Sequence, residues 1–278
     1  MIVQHNMTSL NANRQLGITN KALAKSTEKL ASGYRVNRAA DDAAGLSISE
    51  KMRSQVRGLN KASDNAQNGQ SLIQTAEGAM NEIHAVLQRM RELTVQAAND
   101  TNVTADRQSI AMELKQLAGE ITRIATQTEF NTMKLLTGGF KGKNFQVGAN
   151  NGQFISVSIT SLTAKSLGVN TANLASKISV GTSKSTTISP LISVIDSAIK
   201  TVSLMRSKLG AIQNRLDHTI DNADNMAENL QSAESLIRDT DMASEMVTFS
   251  AKSIIQQAGQ SMLAQANQST QGVLSLLQ

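Results

Sequence analysis

Apolar residues recur every three or four positions along most of the chain, and the longest run of that pattern follows Ser189-Pro190. This dipeptide reads as an N-cap followed by proline at the first helical position, where a missing N–H costs nothing. One set of seam positions is Leu191, Ala198, Met205, Ile212, Thr219, Met226 and Ala233, and the other is Ile195, Val202, Leu209, Leu216, Ala223, Leu230 and Ile237. Thirteen of these fourteen are apolar, Thr219 being the exception, so the spacing predicts a helix over 190–237. At 1.5 Å per residue it would be roughly 70 Å long. A strict seven-residue period implies a left-handed supercoil with a partner.

The partner lies upstream, over about 43–99. Ile48, Gln55, Ala62, Gly69, Ala76, Ile83, Met90 and Ala97 interleave with Met52, Leu59, Ala66, Ile73, Met80, Leu87 and Thr94, and only Gln55, Gly69 and Thr94 break the seam. A second stripe, Leu72, Ala79, Val86 and Leu93, widens the apolar face and calls for another neighbour. Ile110, Leu114, Leu117, Ile121 and Ile124 supply it in a helix over about 104–129, with Thr104 as N-cap and Asp106 in the first turn. The polar link 99–102 is short enough to make these neighbours antiparallel.

Over 130–189 the period shortens. Phe145 and Val147, then Ile155, Val157 and Ile159, alternate with polar positions on either side of Gly148-Ala149-Asn150-Asn151-Gly152, which predicts a β-hairpin. The Ser- and Thr-rich stretch that follows, to Ser189, has little pattern and reads as exposed.

Both termini predict helices with thin apolar stripes: Val3, Met7, Leu10, Leu16, Leu23 and Leu30 in the head, and Val247, Ala251, Ile254, Ala258, Met262, Ala266, Val273 and Leu276 in the tail. Alone, such helices are marginal in water. The breaks at 33–45 and 238–241 are matched, so the chain reads as a rod that goes out and returns. Head and tail (1–42 with 240–278) form a terminal helical assembly domain, and 43–239 form the rod domain. The expected fold class is mainly α, an elongated antiparallel helical bundle or coiled coil with a small β-hairpin region. Stripes left uncovered at paired ends favour self-assembly over catalysis.

Composition narrows this further. The 278 residues would ordinarily suggest one or two domains, yet there are only six aromatics: five Phe, one Tyr and no Trp. A core without large rings suits thin helix–helix interfaces. The 12 methionines fall mostly on seam positions as gap fillers. Cysteine is absent, which removes disulfides and thiolate metal sites. The net charge of +5 is dispersed among acidic residues and does not imply nucleic acid. Neither a signal peptide nor a membrane span is expected.

Candidate chemistry is thin. Gly138-Gly139-Phe140-Lys141-Gly142-Lys143 has the wrong glycine spacing for a phosphate loop, Asn144 where Ser or Thr is required, and a strand where a helix should follow. His5, His84 and His218 are isolated, whereas a zinc site needs three or four ligands. Asp41-Asp42 reads as charge compensation at a helix N-terminus. No enzyme, cofactor or metal site is expected.

Three segments carry a resemblance: Leu30-Ala-Ser-Gly-Tyr-Arg-Val-Asn-Arg-Ala-Ala-Asp-Asp-Ala-Ala-Gly-Leu46, Leu87-Gln-Arg-Met-Arg-Glu-Leu-Thr-Val-Gln-Ala-Ala-Asn99, and the tail from Ser261 to Gln278. Together with Phe130 to Leu136 and Phe145 to Asn150, they resemble bacterial flagellin in a short form whose outer variable domains are largely absent. The resemblance implies a structural subunit that polymerises into the extracellular flagellar filament for motility. It implies export by the flagellar type III apparatus, with an export chaperone on the C-terminal helix, and hook-associated and cap proteins as further partners. It also implies that a vertebrate innate immune receptor contacts Arg89, Leu93 and Glu113. The alternatives are a hook–filament junction protein and a coiled-coil signalling or binding module.

Overall fold

The computed structural model describes residues 6–170 and 185–275, with only the backbone of 185–187 and 270–275. The elements run α1 (Met7–Ser32), α2 (Ala43–Ala97), α3 (Thr104–Gln127), β1 (Glu129–Phe130), β2 (Met133–Lys134), β3 (Lys143–Gln146), β4 (Phe154–Val157), α4 (Ser185–Arg238) and α5 (Met242–Ser275). The protein is mainly helical, as the periodicity predicts. Two compact units emerge, Met1–Val56 with Glu228–Gln278, and Arg57–Ala227. Both α2 and α4 contribute to each.

The unit Arg57–Ala227 holds almost the whole core. Ile73, Met80, Ile83, Leu87 and Met90 of α2 are fully buried with Leu114 and Ile121 of α3 and with Ile195, Val202 and Leu209 of α4. Ion pairs of Arg91 with Asp196 (2.7 Å) and Arg206 with Glu77 (3.6 Å) set α2 and α4 antiparallel. Two breaks in the α2 seam have physical reasons. Thr94 is buried but donates its hydroxyl to the Met90 carbonyl at 2.7 Å. Gly69 leaves room for the Phe145 ring, which would lie 3.0 Å from an added Cβ.

β3 and β4 pair antiparallel, with Phe145 opposite Ile155 and Lys143 opposite Val157, as the alternation predicts. A shorter hairpin, β1 with β2, turns through Asn131 and Thr132, both at positive φ (46° and 64°). It shortens the expected 104–129 helix, which ends at Gln127. Val103 rather than Thr104 precedes that helix, and Asp106 accepts the Val103 N–H at 3.2 Å.

Three further expectations need correction. The stretch after β4 is not wholly exposed: Ile159, Leu162, Ala164, Leu167 and Val169 are buried in the core without regular period, while 171–184 lie outside the described residues. The fourth helix starts at Ser185, so Pro190 lies inside it rather than at its first position. Ile188 and Leu191 are both buried one turn apart, and their burial favours extending the helix past the hydrogen bond that proline forgoes. The α4 seam also drifts, for Met226 is 49% exposed and Ala227 is 7% exposed. An α-helix of 3.6 residues per turn moves off a strict heptad by ~20° per repeat. α4 also contains a stretch that is long and apolar enough to cross a membrane by length and composition alone. Much of its apolar face, Leu191 to Leu216, packs in the core instead.

Candidate functional site: the seam and the open face of the terminal helices

The unit Met1–Val56 with Glu228–Gln278 is built differently. Among the described residues, its only buried apolar side chains are Val36 and Ala266. Asn6 caps α1 by accepting the Ser9 N–H at 3.0 Å, and Gly33 closes it in the left-handed region at φ 74°, its N–H donating to the Lys29 carbonyl. The two linkers then pair: Tyr34 bridges Asp239, the Arg35 N–H donates to the Arg238 carbonyl at 2.7 Å, and the Thr240 N–H donates to the Gly33 carbonyl at 3.0 Å. Arg238 stacks on the Tyr34 ring at 4.6 Å and pairs with Glu50 at 2.8 Å. The matched breaks in the sequence bring these linkers together, but neither has a periodicity that would show the contacts joining them.

Of the Asp41-Asp42 pair, only Asp42 acts at the entry of α2, and Asp41 instead ties the linker to α1. Asp42 accepts the Gly45 N–H at 2.8 Å, and Asp41 pairs with Lys25 at 2.7 Å while accepting the Asn37 and Arg38 N–H groups. The Lys25 hydrogen bond, with the backbone donors, holds the Asp41 carboxyl at about 2.

Head and tail pack together, antiparallel, as expected. The α5 face turned to α1 is Glu245, Phe249, Lys252, Gln256, Gly259, Leu263 and Ala266, a heptad that is largely polar or small. Lys252 donates to Ser26 Oγ at 2.8 Å, Gln256 to Asn20 Oδ1 at 2.8 Å, Ser9 to Asn267 Oδ1 at 2.7 Å, and Asn6 to the Ala266 carbonyl at 2.9 Å. Glu245 pairs with Lys29 at 3.6 Å, and hydrogen bonding to Ser26 together with nearby lysines lowers its pKa. A search for apolar periodicity passes over such a seam.

Of the predicted tail stripe, Ala266 turns to α1, but the larger residues fall on another face. Val247 is 71% exposed, Ile254 66% and Met262 65%, with Ala251 and Ala258 beside them. In α1, Leu16, Leu23 and Leu30 are half-buried, whereas Met7 and Leu10 are exposed. Val3 and Leu276 lie outside the described residues, as does the side chain of Val273. α5 is therefore a two-sided helix: one side is hydrogen-bonded to α1, and the other is apolar and uncovered among the described residues.

The three residues that the resemblance marks for receptor contact separate in the structure. Arg89 of α2 donates to Glu113 of α3 at 3.0 and 3.1 Å and to Glu92 at 3.2 Å; these hydrogen bonds, that to Glu113 first, raise its pKa. Both residues are exposed. Leu93 is 2% exposed and belongs to the core, unlike the exposed Arg89 and Glu113. The second apolar stripe of α2 buries it there. Among the described residues, no group of three or more His, Asp and Glu could hold a metal ion.

Comparison with known proteins gives two family matches: residues 3–141 with "Bacterial flagellin N-terminal helical region" and residues 192–277 with "Bacterial flagellin C-terminal helical region". The chain is similar to a flagellin of Halalkalibacterium halodurans, 52% identical over 277 residues and covering all of both chains. It is 49% identical over 303 residues to a flagellin of Bacillus subtilis, again covering all of both. A putative flagellar hook-associated protein from Vibrio parahaemolyticus shares the fold, with a TM-score of 0.61, 15% identity, and coverage of 71% of this chain and 99% of that one.

Proposed function

We propose that this chain, which belongs to the bacterial flagellin family and is a structural subunit of the flagellar filament rather than an enzyme, polymerises through the open face of α5. The observation that carries the assignment is the line of exposed apolar side chains at Val247, Ile254 and Met262 on a helix whose other face is occupied. Burying such a line between copies removes apolar area from water at ~25 cal/mol per Å². Ala251 and Ala258 lie between the larger residues and permit close approach. Met7, Leu10 and the remaining head residues Val3, Leu16, Leu23 and Leu30, with Val273 and Leu276 of the tail, complete the assembly set.

The test is seeded polymerisation of the purified chain. Ile254→Asp is expected to abolish fibre elongation while leaving the monomer's thermal transition in place. Fibres of normal length from that variant, or from a chain lacking 259–278, would overturn the assignment.

The same open face supports an export chaperone holding the C-terminal helix before secretion through the flagellar type III apparatus, since an uncovered apolar helix in a concentrated cytosol invites aggregation. Hook-associated and cap proteins are partners at the filament ends. Full-length identity near half to flagellins favours the filament subunit over a junction protein, whose likeness here is one of fold.

A vertebrate innate immune receptor is a second partner, through Arg89 and Glu113. Their charge-assisted pair is exposed, so each partner can exchange the other for a receptor group. Arg89→Ala and Glu113→Ala are each expected to reduce receptor signalling in a cell reporter without loss of helicity. Leu93 would act on this surface only from beneath.

A further inference from the structure

The sequence contains two Asn-Gly pairs, Asn68-Gly69 and Asn151-Gly152, in opposite structural settings. Asn68 and Gly69 lie in the middle of α2, and Gly69 is buried. There the Gly69 nitrogen is committed to the helix ladder, and the backbone cannot swing to meet the asparagine side chain. Asn151 and Gly152 lie in the loop joining β3 to β4, and both are exposed. Gly152 takes φ 84°, in the region that glycine enters freely. The neighbouring donors are occupied: the Asn150 N–H donates to Gln153 Oε1 at 2.9 Å, and Gln146 Nε2 donates to the carbonyls of Gly148 and Asn150. These bonds hold the loop around the pair, while the Asn151 side chain is exposed and has no hydrogen-bond partner among the described residues.

We propose that Asn151 is a site of spontaneous deamidation, and that the fold directs the reaction to it and away from Asn68. The Gly152 backbone nitrogen gives its proton to solvent and attacks Cγ of Asn151. The new N–Cγ bond closes a five-membered succinimide, and the Cγ–Nδ2 bond breaks with loss of ammonia. Water then opens the ring, at Cγ to give aspartate or at the main-chain carbonyl to give isoaspartate. The net change is one water consumed, one ammonia released and one carboxylate gained. No oxidant or enzyme is required. Glycine speeds the step because it places no Cβ in the path of ring closure.

The modification would alter a docked part of the fold. Ala149 of the same loop sits against Gly58 of α2, 2.8 Å from where a Cβ would be, and Asn151 lines the same shallow cavity as Lys61. Aspartate adds a negative charge there. Isoaspartate lengthens the main chain of the loop by one carbon, which changes the register available to β3 and β4.

The test is to age the folded full-length chain in mildly alkaline buffer, quantify both sites by peptide mass mapping, and label isoaspartate with an isoaspartyl methyltransferase. Acid and isoaspartate are expected to accumulate at residue 151, with Asn68 converting at least about tenfold more slowly, because its reaction waits on helix opening. In urea the two sites should convert at similar rates, and Asn151→Gln should abolish the labelling at the loop while leaving the chain folded. Equal conversion of both sites in the folded chain would overturn the proposal. So would an intact Asn151 after Asn68 has reacted, or a rate at 151 that rises only on unfolding.

Discussion

Two antiparallel helix seams in this chain have opposite chemistry. Between α2, α3 and α4 the contact positions are Leu, Ile, Met, Val and Ala at near-zero exposure. Between α1 and α5 they include Ser26 and Asn20, hydrogen-bonded to Lys252 and Gln256, and Gly259 against Leu16. Each bond contributes only ~1 kcal/mol net, because water offers equivalent partners to the separated helices. An apolar seam stabilises a fold, whereas a polar seam mainly fixes register. Putting the polar face inward on α5 leaves Val247, Ile254 and Met262 outside. The terminal pair is thus held loosely within one subunit and retains its apolar surface for a neighbour.

The largest expected effect comes from the apolar seam. Leu87→Ala removes a fully buried side chain and should cost ~2–5 kcal/mol in urea unfolding, by lost transfer energy and the cavity left behind. Lys252→Ala should cost about 1 kcal/mol and leave the buried Ser26 hydroxyl without that partner, with the loss confined to amide exchange in α1 and α5. A drop as large as that of Leu87→Ala would break the contrast between the seams.

Two helical glycines sharpen it. A Cβ at Gly58 would meet the Cβ of Ala149 at 2.8 Å and its Cα at 3.3 Å, so Gly58→Ala must displace loop backbone. It is expected to destabilise by ~1–3 kcal/mol. A Cβ at Gly259 would meet only the flexible Cδ1 tip of Leu16 at 3.3 Å. Gly259→Ala should therefore stabilise α5 by ~0.5–1 kcal/mol through helix propensity, measured by circular dichroism melting. Opposite signs at the two positions would confirm that the loop seat on α2 is tight and the terminal seam loose.

The smallest effect is electrostatic. Asp41 is held at about 2 against an ordinary 3.8. The folded state binds this proton less readily than the unfolded state, so the contribution is complete above the ordinary value and is lost as pH falls through about 2. Protection of the Asn37 and Arg38 amides should fall in that window, and Asp41→Asn should make it independent of pH there.

The α2–α4 seam was legible in the sequence because apolar burial writes a period of seven, and the β3–β4 hairpin because alternation flanks a glycine-rich turn. Polar contacts write no such period. Lys252 and Gln256 look like ordinary solvated residues until Ser26 and Asn20 are placed opposite them. The tail stripe was found, but periodicity alone does not distinguish a face packed within the chain from one left open. Leu93 shows the same limit in reverse: the resemblance places it with Arg89 and Glu113, and the second apolar stripe of α2 draws it into the core. The β1–β2 hairpin escaped because Thr132, a β-branched residue at φ 64°, is a poor turn signal. Burial of Ile159 to Val169 escaped because an irregular segment meets the core at uneven intervals.

Native-state amide hydrogen exchange on the monomer tests the contrast most directly. Amides of 7–32 and 242–269 should exchange rapidly, with protection far below that of 72–97 in α2, and polymerisation should slow them. Equal protection of the terminal pair and α2 in the isolated monomer would contradict the account.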